Sequence, residues 1–125
     1  MKTPVPTGGG PLVAALCRVP LLCEALASAF EGIAEIRAFP AELDDTDGLL
    51  RSLRPDAVVV DTEMQASEAE PFARETQTPL VHVLLREQHL RVLRNDSWEL
   101  LTDGDTSPEA IRNLIVGGMY RRQPA

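Results

Sequence analysis

The stretch Leu53-Arg54-Pro55-Asp56-Ala57-Val58-Val59-Val60-Asp61 limits the fold of this chain more than any other. Proline disfavours helical backbone in the residue before it, so a helix carrying Leu49, Leu50 and Leu53 must stop before Pro55. The run from Ala57 to Val60 is short, continuous and β-branched, which suits a strand buried on both faces. Asp61 then stands where that strand surfaces. A helix, a stop, a doubly covered strand and a carboxylate at its end imply an α/β domain.

The flanking segments repeat the alternation. Leu12 to Leu16 is a second continuous apolar run. Pro20 fits the first turn of a helix in which Leu22, Ala25, Leu26, Ala29 and Phe30 share one face. Gly32 ends that helix. Ile33 to Phe39 alternates apolar with polar residues, as a half-covered edge strand does. Asp44 or Asp45 is placed to cap the short helix before Pro55. Thr62 to Ser67 reads as a polar loop, followed by a weak helix from about Glu68 to Arg74, and Leu80 to Leu85 as a fourth strand. Leu90 to Arg94 and Trp98 to Thr102 are both strand-like, joined by the turn sequence Asn95-Asp96-Ser97, so a β-hairpin is expected where a helix would continue the alternation. Ser107-Pro108-Glu109 opens the last helix, with a capping serine, proline at its first position and an acid in its first turn. Its buried stripe is Ile111, Leu114, Ile115 and Met119, and Gly117-Gly118 is expected to fray its end.

The chain of 125 residues supports one core, expected over residues 11–121, with loose tails at 1–10 and 122–125. Gly8 to Gly10 precede the first strand instead of following one, so they do not make a nucleotide-binding loop. A net charge of −7, with Arg121-Arg122 as the only basic cluster, argues against nucleic acid as a partner. No apolar run is long enough to span a bilayer, and Met1 to Gly10 lacks the apolar core of a signal peptide. A cytoplasmic location, with no membrane partner, is the expectation. Cys17 and Cys23 lack a histidine nearby and form no CxxC motif, so two buried free thiols are expected. Asp44-Asp45-Thr46-Asp47-Gly48 lacks the closing glutamate of a calcium loop and reads as a capping turn. His82, in the fourth strand, and His89 read as packed histidines, not as ligands or catalysts.

Several motifs carry a resemblance to the receiver domain of two-component response regulators. Pro20-Leu21-Leu22-Cys23-Glu24-Ala25-Leu26 is similar to that family's start of helix one, and Leu53 to Asp61 to its LRPDVVLLD stretch. Met64 falls at the methionine of its MPG loop. Ser107-Pro108-Glu109 and Gly117-Gly118-Met119-Tyr120 resemble the start and end of its last helix. The resemblance implies a flavodoxin-like, doubly wound parallel sheet of five strands in the order 2-1-3-4-5, with the hairpin as the alternative to helix four, and Asp61 at the phosphoacceptor position.

The chemistry implied by the resemblance is degenerate. Receivers hold magnesium with two acids after strand one, because a hard cation takes oxygen ligands; here those positions are Cys17 and Arg18. The hydroxyl position after strand four falls at Leu84 or Leu85, and the lysine position after strand five at Thr102. Gln65 and Ala66 replace the Pro and Gly of the MPG loop. Phosphoryl transfer depends on charge neutralisation and positioning, so no catalytic residue, metal or cofactor is expected. The expected role is that of a stand-alone pseudo-receiver acting by protein–protein contacts through a rebuilt strand-five and helix-five face, as a possible homodimer. Leu90, Val92, Trp98, Leu100 and Tyr120 are the candidate interface, with packing beneath the last helix the other reading of Trp98. The segment 121–125 is too short to hold a DNA-binding module. Two alternatives stay open: an atypical phospho-switch using Asp61, and a small-molecule sensor lined by Cys17, Arg18, Asp61, Thr62 and Leu85, in which Arg18 would bind an anion or, as the favoured form, make a salt bridge to Asp61.

Overall fold

Strand and helix alternate in a computed structural model that describes residues 11–40, 44–94, 96–101 and 106–122. In chain order the described elements are β1 (Leu12–Cys17), α1 (Pro20–Ala29), β2 (Glu35–Pro40), α2 (Thr46–Leu53), β3 (Ala57–Val60), α3 (Glu63–Thr76), β4 (Leu80–Leu84), β5 (His89–Arg94), β6 (Ser97–Leu101) and α4 (Pro108–Arg122). They build an α/β domain on a mixed six-stranded sheet of order β2-β1-β3-β4-β5-β6.

The first four strands in this order are parallel, and β5 and β6 run antiparallel to their neighbours. The expectation of a parallel five-stranded sheet is corrected here. The cause lies in the connection: only Leu85 to Gln88 separate β4 from β5, and a parallel return needs a crossover of a dozen or more residues. The chain can only turn back, and β5 and β6 form the hairpin expected in place of helix four.

Side chains of alternate parity divide into two cores, as the two-residue period of a strand requires. Val13, Ala15, Val59, Val81, Val83, Leu90 and Val92 face α1 and α4, where they meet Leu26, Phe30, Ile111 and Ile115. Ala14, Leu16, Val58, Val60, Leu80 and Leu93 face α2 and α3, where they meet Leu50, Ala66, Ala69 and Phe72. All four residues of β3 are fully buried, as its sequence demands.

Two helices differ from expectation. Thr62 to Ser67 is not a loop: α3 begins at Glu63 because the Thr62 hydroxyl caps it, accepting from the Gln65 N–H at 3.2 Å. Its buried stripe consists of Gln65, Ala66, Ala69, Phe72 and Ala73, and Pro71 lies within the helix on its exposed side. Similarly, the backbone of α4 stays helical through Gly117-Gly118 to Arg122, so the expected fraying is absent. The acidic turn before α2 is the expected cap: the Asp45 carboxylate accepts from the Gly48 N–H at 2.9 Å. A Cβ at Gly48 would meet that carboxylate, so a larger residue there would require the Asp45 side chain to shift. Arg51 then joins α2 to α3, gripping Glu75 through two hydrogen bonds of 3.0 Å, and this pairing holds the Glu75 carboxyl below its usual range.

Candidate functional site

Two aspartates bracket β3 and fasten it to β1. At the amino end, the Asp56 carboxylate accepts from the Leu12 N–H at 2.8 Å, while the Asp56 N–H donates to the Leu12 carbonyl at 2.7 Å. At the carboxyl end, Asp61 Oδ1 accepts from the Arg18 N–H at 2.7 Å and Oδ2 from the Val19 N–H at 3.0 Å. Charge-assisted bonds of this kind are the stronger class. Together they tie the β1–α1 turn to the end of β3. No ion pair joins the Arg18 guanidinium to Asp61. The favoured salt bridge is therefore corrected: the backbone of residues 18 and 19 holds the carboxylate, because that turn aims two successive N–H groups at it.

The same turn carries a second fastening. Cys17 and Cys23, expected as separate thiols, form a disulfide, and the described residues include no free cysteine. The turn at Arg18 to Pro20 folds α1 back so that the two Cα atoms lie 6.2 Å apart, within bridging range. A separation of six residues says nothing by itself about that fold-back, which is why the sequence did not disclose it.

A solvent-open cavity of about 700 Å³ lies over the carboxyl ends of β1 and β2, walled by Cys17, Arg18, Cys23, Phe39, Thr62 and Met64. Open sheets place crevices at this edge. Of the residues expected to line a ligand site, Cys17, Arg18 and Thr62 come together there. Asp61 is engaged beside them, and Leu85 lies beyond β4, 42% exposed. Leu84 closes β4 and is half-buried. Thr102 and the side chain of Tyr120 lie outside the described residues. Among the described residues no group of three or more His, Cys, Asp or Glu side chains is placed to hold a metal ion, and no helix is long and apolar enough to cross a membrane.

The expected interface divides between the two sides of the hairpin. Leu90 and Val92 are buried in the α1/α4 core, which corrects their assignment as interface residues. Their parity in β5 points them at Ile111 and Ile115 instead of solvent. Trp98 pairs with Leu93 and packs against the α2/α3 core, so it does not lie beneath the last helix. Leu100, on the same side, is 52% exposed.

Between this tryptophan and α3 sits a polar cluster that no sequence motif announced. Arg91 lies opposite His82 in the β4–β5 register, donates to His82 Nδ1 at 3.1 Å, stacks over the Trp98 ring at 4.3 Å and reaches Glu63 at 3.7 Å. An arginine can only donate, so His82 Nδ1 must accept and its proton resides on Nε2. Burial and then the Arg91 charge push His82 below its ordinary value of 6.5. The neutral ring is the form that the native state favours. Its contribution is therefore present above the unfolded value and is lost as pH falls from there through the depressed native one. Urea midpoints at about pH 7.5 and about pH 5.5 should differ more for the wild type than for His82→Leu, which cannot titrate. Equal differences would contradict the buried neutral assignment.

Comparison with family models, curated proteins and solved structures returned no match to this chain.

Proposed function

We propose that this chain is a pseudo-receiver: an interaction module on a flavodoxin-like frame that works through protein contacts and not through phosphorylation of Asp61. The observation that carries this reading is the engagement of both Asp61 oxygens by the Arg18 and Val19 N–H groups. In-line attack on a phosphodonor needs a free carboxylate oxygen and charge neutralisation beside it. Here each oxygen is held by one N–H of the turn, and the adjoining side chains, a disulfide sulfur and an arginine, replace acids that could bring a metal to it. The order β2-β1-β3-β4 agrees with the corresponding part of the receiver order 2-1-3-4-5. The antiparallel hairpin then replaces the surface through which receivers meet partners, and it presents Leu100 and the Arg91–Trp98 stack on the side where helix four is missing. An aromatic with a stacked arginine is the composition enriched in interface centres.

The test is incubation with a small phosphodonor and magnesium, read by intact mass. The expected result is no phosphoryl adduct under conditions that fully modify an ordinary receiver. An adduct that disappears in Asp61→Asn would overturn the proposal and make the chain a phospho-switch.

A further inference from the structure

We propose that Cys17–Cys23 is a reversible thiol–disulfide exchange site whose co-substrate is a dithiol reductant, and that opening it loosens the turn bordering the 700 Å³ cavity. This inference goes beyond the pseudo-receiver reading, with which it shares the fastening of the β1–α1 turn to Asp61.

Four observations carry it. Both cysteines are largely buried, 6% and 9% exposed, but both line a cavity open to solvent, so a small dithiol has one direction of approach to the bridge without the domain unfolding. The flanking turn is itself open, with Val19 39% and Leu21 72% exposed. The bridge closes a ring of only six residues' separation, between elements that are already adjacent in the chain. A short ring removes less chain entropy than a long one, and although both cysteines sit at the margin of the α1/α4 core, the α2/α3 core contains neither. Finally, the β1–α1 turn has a second fastening, through Arg18 and Val19 to Asp61, which remains when the sulfurs part. The domain is thus built to survive reduction, while the first turn of α1 loses its tie to β1. Arg18 and Glu24, the charged side chains lining the cavity beside the sulfurs, oppose each other in sign.

The exchange balances simply. A thiolate of the reductant attacks one sulfur of the pair, forming a mixed disulfide and expelling the other as a thiolate. The second thiolate of the reductant then attacks the reductant's own sulfur in the mixed disulfide, closing the reductant's disulfide and expelling the remaining protein sulfur as a thiolate. Two electrons and two protons pass to Cys17 and Cys23, and the reductant leaves as its own disulfide. A reducing compartment would hold the pair open and an oxidising one closed.

Dithiothreitol is the probe, with maleimide trapping and intact mass as one readout and amide hydrogen exchange as the other. Without reductant the folded protein should take up no maleimide. With reductant it should take up two together, keep its far-UV circular dichroism, and return to the unlabelled form when oxidised dithiothreitol is supplied before trapping. Exchange at Leu21, Leu22 and Cys23 should accelerate about tenfold on reduction while Val59 and Val81 stay protected. The variant Cys17→Ser/Cys23→Ser should be folded and show no exchange response to dithiothreitol. Labelling without reductant, reduction only after denaturation, loss of structure on reduction, or an unchanged response in the double variant would each overturn the proposal.

Discussion

Phe30→Ala should lower unfolding stability by about 3–5 kcal/mol, the largest loss expected from any single truncation described here. Phe30 is fully buried immediately after α1. Its N–H donates to the Leu26 carbonyl, and its own carbonyl accepts from Ile33 and Ala34 at 2.8 and 3.0 Å. With its backbone held on both sides, the site cannot collapse around a missing ring, so a cavity remains among the α1 and α4 side chains. A loss of this size is about a fifth or more of the stability of an ordinary domain. Urea unfolding checks it: the midpoint should fall with the slope unchanged. Phe30→Leu should cost under about 1.5 kcal/mol, and Leu21→Ala, on the exposed side of the same helix, under about 0.5 kcal/mol. Similar losses at Leu21 and Phe30 would contradict the placement of α1.

Asp61→Ala should cost about 1.5–3 kcal/mol, large for a residue outside the core. It removes two charge-assisted bonds at once. The effect stays below twice the value of one such bond because Arg18 and Val19 are exposed, so water can replace part of what is lost. Asp61→Asn keeps the shape but offers one acceptor oxygen and turns an NH2 group toward a second donor. It should recover less than half of the loss. If Asp61 were instead a reactive, loosely held carboxylate, both substitutions would be close to neutral for stability.

Much of the frame was legible in the residues. Leu12 to Leu16 and Ala57 to Val60 could only be covered strands, Pro20 and Ser107-Pro108 marked helix starts, and Asn95-Asp96-Ser97 marked the hairpin. Asp96 adopts a left-handed φ of 63° there, as turn chemistry allows. The amino half of α3 escaped notice because its buried face is made of alanines and a glutamine, which carry no apolar signal. The direction of β5 was open to argument from the four-residue connection at Leu85 to Gln88, but the family resemblance favoured a parallel strand. The site was less legible for a physical reason. Asp61 is satisfied by backbone N–H groups, the disulfide depends on how a turn folds, and the His82–Arg91 contact depends on register; none of these leaves a pattern in side-chain spacing.

Amide hydrogen exchange at Arg18 and Val19 tests the account most directly, because its central claim is that Asp61 holds the β1–α1 turn. Both amides lie in an exposed turn and would ordinarily exchange at nearly the rate of an open chain. Both should be protected in the wild type, and Asp61→Ala should abolish the protection at both while leaving Val58 and Val59 slow. Fast exchange at Arg18 and Val19 in the wild type would contradict it, and Asp61 would again be a free carboxylate at the end of β3.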